Sequence, residues 1–239
     1  MKQKFSAAFT LAFLMALVLA TGSCKKETAA ETRYRLSSQY SVSGNIPYFT
    51  LYNYDEQVRI ISTFGNQVNG FLSYGPNTVG YVEYQPDGSV NNSFTMQLDA
   101  AGRFTTKDGA TFQYNSDGKL VRKSSGTLVV EYTWQDGNLV SFSTFISGVL
   151  SYTYTFTFYT DRPNHANWDY TNLGLDAFFG QDSKNLIKHS EILEHATGTT
   201  SSSVDWVYDF NDDGLPIKLT SNFLGSNVQT TQFFSYESY

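Results

Sequence analysis

FQYNSDGKLVRKSSGTLVVEYTWQDGNLVSFSTFISGVLSYTYTFTFYT, residues Phe112–Thr160, decides the fold. Asn115-Ser116-Asp117-Gly118 and Gln135-Asp136-Gly137-Asn138 are tight-turn sequences. Asp-Gly suits a two-residue hairpin turn of type I′, which needs positive φ at both central positions. Phe112 and Tyr114 lead into the first turn and Leu120-Val121 leave it; Tyr132 and Trp134 lead into the second and Leu139-Val140 leave it. From Tyr152 the alternation is almost unbroken. Tyr152, Tyr154, Phe156 and Phe158 fall on one face, with Thr153, Thr155 and Thr157 on the other. A period of two in aromatic and β-branched residues belongs to a strand and not to a helix.

The same unit recurs on both sides. Tyr52–Ile61, Tyr84–Val90 (with Pro86 well placed for a turn) and Leu98–Phe104 precede it, and Tyr208–Leu215 closes the series. From Gly88 through Gly102 and Gly118 to Gly137 the turns come every 14 to 19 residues, which holds two strands and the opposite turn. The expectation is an all-β fold, an antiparallel up-and-down meander of about ten to twelve strands. It forms a barrel or a strongly curled half-barrel within a single β-meander domain, residues 33–239. Residues 161–185, DRPNHANWDYTNLGLDAFFGQDSKN, break the pattern as a long connection. Such a loop is either functional or packed on a barrel end, and Phe178-Phe179 favours packing.

Composition agrees with an extracytoplasmic β domain. Charged residues make up 16% of the 239, below the usual quarter, and aromatic residues another 16%. The 41% apolar content is enough for a core and excludes wholesale disorder. The formal net charge is −6 with no basic run, which excludes nucleic acid as a general partner.

Residues 1–23 read as a signal peptide. Lys2 and Lys4 form its positive start, Ala7–Ala20 its apolar run, and Thr21-Gly22-Ser23 leads to Cys24, the sole cysteine. The run is too short for a comfortable transmembrane helix. Losing Lys2 and Lys4 would take the net charge from −6 to −8. One cysteine allows no intrachain disulfide. Thr21-Gly22-Ser23-Cys24 resembles the lipobox of bacterial lipoproteins, in the looser form of Bacteroidetes, since Thr21 stands where leucine is usual. That resemblance implies lipidation of Cys24 and an outer-membrane lipoprotein held through its N-terminal lipid, on the periplasmic or the cell-surface side. Residues 24–32 are then the lipidated cysteine and a polar tether.

Two further resemblances rest on named residues. Tyr52-Asn53-Tyr54-Asp55-Glu56-Gln57-Val58, Tyr114-Asn115-Ser116-Asp117-Gly118-Lys119-Leu120 and Tyr208-Asp209-Phe210-Asn211-Asp212-Asp213-Gly214-Leu215 resemble the YD repeats of Rhs-type shell proteins. Residues 50–220 as a whole are similar to a Bacteroidetes lipoprotein family of unknown function with a porin-like β fold. The carrying residues are the Asp-Gly turns, Trp134 to Leu139, Pro163-Asn164 with Asn167, Phe178-Phe179-Gly180, and Ser183-Lys184-Asn185-Leu186. The resemblance implies fold and location, and supplies neither an activity nor site residues.

The candidate chemistry is thin. In the segment from His189 to His195, two histidines and Glu191 share a strand face, and imidazole with carboxylate can ligate zinc. Six residues of strand put the histidines about 20 Å apart, too far for one ion, so no metal is expected. No Ser sits in a Gly-x-Ser-x-Gly elbow, and His165 beside Asp169 lies in a polar loop. Nothing singles out a facing pair of carboxylates for glycoside hydrolysis. A non-enzyme without cofactor is expected. Val149–Thr160 has the length and alternation of a membrane-spanning strand, but Lys119–Lys123 is too densely charged for a lipid face. The lipid anchor and a last strand carrying Glu237 and Ser238 also count against a transmembrane barrel.

The aromatic excess carries the most functional content. Trp168 sits in the irregular loop beside Asn164, Asn167, Asp169 and Tyr170, and an aromatic ringed by Asn and Asp can stack on a sugar while they bind its hydroxyls. Those five residues are the candidate ligand site of a non-catalytic module for a glycan or other extracellular ligand. The alternatives are a structural or interaction protein that offers β edges or loops to an envelope protein, and a carrier of an apolar ligand inside the barrel.

Overall fold

The structure, a computed structural model, describes residues 34–43, 46–66, 68–164, 180, 182–226 and 228–239. The expected signal peptide, Cys24 and the expected tether lie outside the described residues, as do Trp168, Tyr170, Asn167, Asp169, His165 and Phe178-Phe179.

Among the described residues the strands in chain order are β1 (Tyr34–Ser43), β2 (Ile46–Tyr54), β3 (Ile60–Gly65), β4 (Asn69–Tyr74), β5 (Thr78–Tyr84), β6 (Val90–Leu98), β7 (Phe104–Lys107) and β8 (Ala110–Tyr114). The series continues with β9 (Leu120–Ser125), β10 (Leu128–Gln135), β11 (Asn138–Ile146), β12 (Val149–Pro163), β13 (Asn185–Glu194), β14 (Thr199–Phe210), β15 (Pro216–Phe223) and β16 (Gln229–Ser238). Each pairs antiparallel with its sequence neighbours, and β16 returns to pair with β1, Tyr40 facing Phe233 and Gln39 facing Phe234. The sheet is a closed up-and-down barrel of sixteen strands.

The all-β meander is therefore present, closed rather than half-open, and with sixteen strands in place of ten to twelve. The surplus strands lie where turns carry no Asp-Gly. The β3–β4 turn closes through Gly65 N–H to Val68 O (3.1 Å), and the β4–β5 turn through Gly75 N–H to Thr78 O (2.9 Å). The β13–β14 turn has Gly198 N–H on Glu194 O (2.9 Å), and the β15–β16 turn has Phe223 N–H on Val228 O (3.2 Å). Strand β7, four residues long, is also too short to show a period.

The turns announced by Asp-Gly and related sequences are of two kinds. Asp136 and Gly137 both have positive φ, 52° and 86°, as type I′ requires. Asn115–Gly118 differs from the expected two-residue turn. Gly118 N–H bonds Asn115 O and Asn115 N–H bonds Lys119 O, both at 3.0 Å, and only Gly118 has positive φ, 77°. This is a three-residue loop, a type I turn followed by a left-handed residue. The same closure recurs at Gln85–Ser89, Asp99–Arg103 and Asn211–Leu215, with Pro86 at the second position of its turn, and at Asp55–Arg59.

Directly opposed residues share a face, so the register sorts inside from outside around the whole ring. Val79, Tyr81 and Met96 (0 to 1% exposed) point inward, with Phe104 equally buried, and Leu72, Phe112 and Leu120 complete that packed arc. Further round, Tyr132, Phe142 and Tyr154 are cross-strand partners on the inner face. The Phe142 and Tyr154 rings stack at 4.2 Å between centroids, and Phe156 lies 5.8 Å from Phe142. The aromatic face of β12 is thus the inner one.

The outer face is uneven. Arg122 on β9, Glu131 on β10, His189 and Glu191 on β13, Asp205 and Asp209 on β14 and Lys218 on β15 point outward. On the far side Phe233, Tyr40, Phe49, Leu51, Phe64 and Phe71 do so instead.

Candidate functional site

At the end of the barrel where β1 begins and β16 ends, here the upper end, four loops share one construction: those joining β2 to β3, β6 to β7, β8 to β9 and β14 to β15. An Asp or Asn opens the turn and its Oδ1 accepts the N–H groups two and four residues on. Asp55 does so for Gln57 and Arg59, and Asp99 for Ala101 and Arg103, all at 2.9 Å. Asn115 serves Asp117 and Lys119, and Asn211 serves Asp213 and Leu215. Asx side chains favour such turns because they replace a backbone acceptor. The hydrogen bond from Arg59 holds the Asp55 carboxyl below the usual carboxylate range.

The turn's cation then lies over an aromatic ring of a following strand. Arg59 covers Tyr74 (4.2 Å), Arg103 covers Tyr114 (4.5 Å) and Lys119 covers Trp134 (4.4 Å). The same aromatic often ties its polar tip to the carbonyl just after that cation, Tyr74 Oη to Ile60 O and Trp134 Nε1 to Leu120 O, both 2.7 Å. Arg35 over Tyr54 (4.4 Å), with Tyr54 Oη donating to Leu36 O (2.6 Å), carries the device across the β1–β2 pair. Burial pushes the Tyr54 and Tyr74 phenols up to about 12, so they remain donors at any physiological pH. Successive hairpins are thereby clasped one to the next.

The long connection between β12 and β13 is fastened onto these turns. Lys184 N–H bonds Gly137 O (3.0 Å), and Ser183 Oγ accepts Leu139 N–H (3.0 Å). Lys119 Nζ donates to Asp182 O (2.8 Å) and Gly137 O (3.2 Å). Asn185 N–H bonds Asn138 Oδ1 (2.9 Å). Gly180 has φ 91°, and a Cβ there would stand 2.3 Å from Gly118 O, so only glycine permits this approach. Asn164, the one described member of the candidate ligand set, donates its backbone N–H to Lys184 O (2.9 Å) and its Nδ2 to Ser183 O (3.2 Å). The described ends of the connection pack on the barrel's upper end.

The two other tryptophans are accounted for inside the fold. Trp134 uses Leu120 O, and Trp206 Nε1 donates to Ser190 Oγ (3.1 Å).

The histidines are separated by their partners. His195 Nε2 lies 2.9 Å from Thr153 Oγ1. His189 Nδ1 lies 2.7 Å from Asp205 Oδ1, and Nε2 lies 3.4 Å from Glu191 Oε1 and 3.5 Å from Ser203 Oγ. The two carboxylates meet opposite edges of one imidazole, so no single ion reaches all three. The hydrogen bond to Asp205 raises the affinity of His189 for its proton. Ser203, His189 and Asp205 have the connectivity of a nucleophile–base–acid triad, which the local sequence hides because the residues come from two strands. They lie on the open outer wall, where the ladder of β13 and β14 uses the backbone N–H groups that an oxyanion would need.

No family model and no curated protein matches this chain. Solved structures do match. A porin-like protein from Bacteroides vulgatus aligns over 87% of this chain and 99% of its own, with TM-score 0.63 at 14% identity. A porin-like protein from Bacteroides uniformis aligns over 84% of this chain and 98% of its own, with TM-score 0.62 at 12% identity. At such identities the likeness is one of fold: this chain builds the barrel seen in porin-like proteins of Bacteroides.

Proposed function

We propose that the chain is a non-catalytic ligand-binding module held at the bacterial outer membrane by a lipid on Cys24, with a glycan as the expected ligand. One observation carries the site: the returning end of the long connection is fastened to the β8–β9 and β10–β11 turns, and Asn164 at its departing end is bonded to Lys184 and Ser183 of that returning end. The connection whose sequence carries Trp168 and Tyr170 thus rejoins the barrel at its upper end. Together with Asn164, Asn167 and Asp169 they have the chemistry to stack on a sugar and bind its hydroxyls. Attachment falls to the lipid because the wall over β9–β15 is charged. An Arg or Lys facing the bilayer midplane costs a barrel about 2–4 kcal/mol.

Thermal shift of the full chain against glycans, apolar lipids and divalent metals tests this. A ligand at 100 times its Kd adds about 2.7 kcal/mol to native stability. A glycan-dependent rise that disappears in Trp168→Ala with Tyr170→Ala is expected, and binding that survives the pair sinks the site. A rise with apolar lipid alone would assign the chain as a carrier. Incorporation of a palmitate analogue in cells, lost in Cys24→Ala, checks the anchor separately.

A further inference from the structure

Six large side chains stand out on the outer face of β16 and β1–β4: Phe233, Tyr40, Phe49, Leu51, Phe64 and Phe71, each 37 to 47% exposed. They are contiguous. Tyr40 is the cross-strand partner of both Phe233 and Phe49, and Leu51 is that of Phe64. Phe64 and Phe71 meet edge to face at 5.6 Å, and Phe71 meets Tyr84 on β5 at 5.8 Å. The described side chains between them on this face are Ser, Thr and Asn. Among the described residues the outward charges of the sector are Arg35 and Glu237, cross-strand partners that pair with each other at the upper rim (2.7 Å). Contiguous apolar surface of this kind marks an interaction site, whereas single exposed apolar residues do not.

We infer that this sector is a membrane-contact face, against which the barrel wall rests on the lipid surface. The inference rests on the lipid-anchor reading of Cys24. Two features choose lipid over a second copy or another protein. First, the 33 residues that precede the barrel enter it at Tyr34, on β1, a strand of the sector beside its central strand β2. The nine residues from Lys25 to Arg33 span about 30 Å at full stretch, so an acylated Cys24 keeps β1 close to the bilayer and raises the local concentration of lipid at this wall. Second, apart from the Arg35–Glu237 pair at the upper rim, the outward charges among the described residues lie on the remaining arc, the nearest being Lys218, which faces Phe233 and is paired with Asp209 (2.9 Å), so the body of the sector offers no charge to give a protein partner its register. Phe, Leu and Tyr suit shallow burial of about 5–10 Å at the headgroup boundary, which demands no directional contact.

The test uses the acylated full chain in phosphatidylethanolamine–phosphatidylglycerol vesicles. An environment-sensitive thiol dye is placed at Leu51→Cys, or at Thr133→Cys on β10, diametrically across the ring. If Cys24 carries lipid, its own thiol does not react, and the introduced cysteine is the only labelled position. Brominated acyl chains are expected to quench the Leu51 dye several-fold more than the Thr133 dye. Phe49→Ser with Phe71→Ser should remove the difference while leaving the melting transition in place. Equal quenching at both positions overturns the inference. So does a Leu51 dye that is shielded without lipid in proportion to protein concentration, which would assign the face to a second copy. Labelling of Cys24 in the unsubstituted chain would refute the anchor instead. The Leu51–Thr133 comparison, repeated in a Cys24→Ala background on added vesicles, then reads the face alone, and equal signals there overturn it as well.

Discussion

Gly70 sets how closely β3, β4 and β5 can pack. A Cβ at that position would stand 2.8 Å from Thr63 Oγ1 and 2.9 Å from the Tyr81 ring and its oxygen. Thr63 and Tyr81 are each 1% exposed, and Tyr81 Oη is held on Glu83 Oε2 at 2.8 Å, so neither can move away. Gly70→Ala is therefore expected to destabilise by about 1–3 kcal/mol, the usual cost of overpacking, read as a lower urea midpoint. His189 acts in the opposite environment, on the outer wall. Its bond to Asp205 raises its pKa in the folded chain above the ordinary value near 6.5. The stabilisation it supplies is complete below that ordinary value and is lost as pH rises through the raised one. The urea midpoint of the native chain should consequently fall more between pH 6 and pH 8 than that of Asp205→Asn, and identical slopes would contradict the assignment.

The turn is the element in which sequence and structure agree best and also where they part. Wherever Asp-Gly or Asn-x-x-Gly closes a hairpin, the residues announce it, since Gly88, Gly102, Gly118 and Gly214 all hold positive φ of 77° to 83°. At the corresponding place in the first copy stands Val58, with φ 62°. A β-branched side chain there is strained, by roughly 1–2 kcal/mol. Val58→Gly is expected to recover about 1 kcal/mol of that, raising the melting temperature by roughly 2–4 °C, and Gly118→Val to lower it. The inner face was legible because aromatic alternation in Tyr152–Phe158 marks it. The outer apolar sector was not: in Tyr48-Phe49-Thr50-Leu51 large apolar groups fall on both faces, and alternation cannot say which is outward. The clasp of cation on aromatic was also hidden, because Lys119 and Trp134 or Arg103 and Tyr114 are brought together by tertiary pairing rather than by a local period. The candidate ligand set was legible only as composition. Lys119 and Ser183, which fasten the long connection, stand in the sequence only within family-like motifs, and nothing local marks their fastening role.

At the scale of the whole molecule the decisive pairing joins residues some 200 positions apart, β1 with β16, and no local pattern foretells it. Closure has a functional consequence. A barrel with every strand paired leaves no edge among the described residues, so a partner cannot add a strand to the sheet. Recognition of a protein partner is confined to the turns, the long connection and the outer wall, which weakens the alternative of a protein that presents β edges. Closure can be tested directly through Ser38 and Ser235, cross-strand partners on the outer face of the seam. Opposed residues of an antiparallel pair lie about 4.5–5.5 Å apart at Cα, within reach of a disulfide. In a Cys24→Ala background, Ser38→Cys with Ser235→Cys should oxidise to an intrachain disulfide in the native state. Because that bond closes nearly the entire chain into a loop, it should raise the melting temperature on the order of 10 °C. An open, curled sheet would hold these positions apart, and it would give neither the crosslink below the unfolding transition nor the rise.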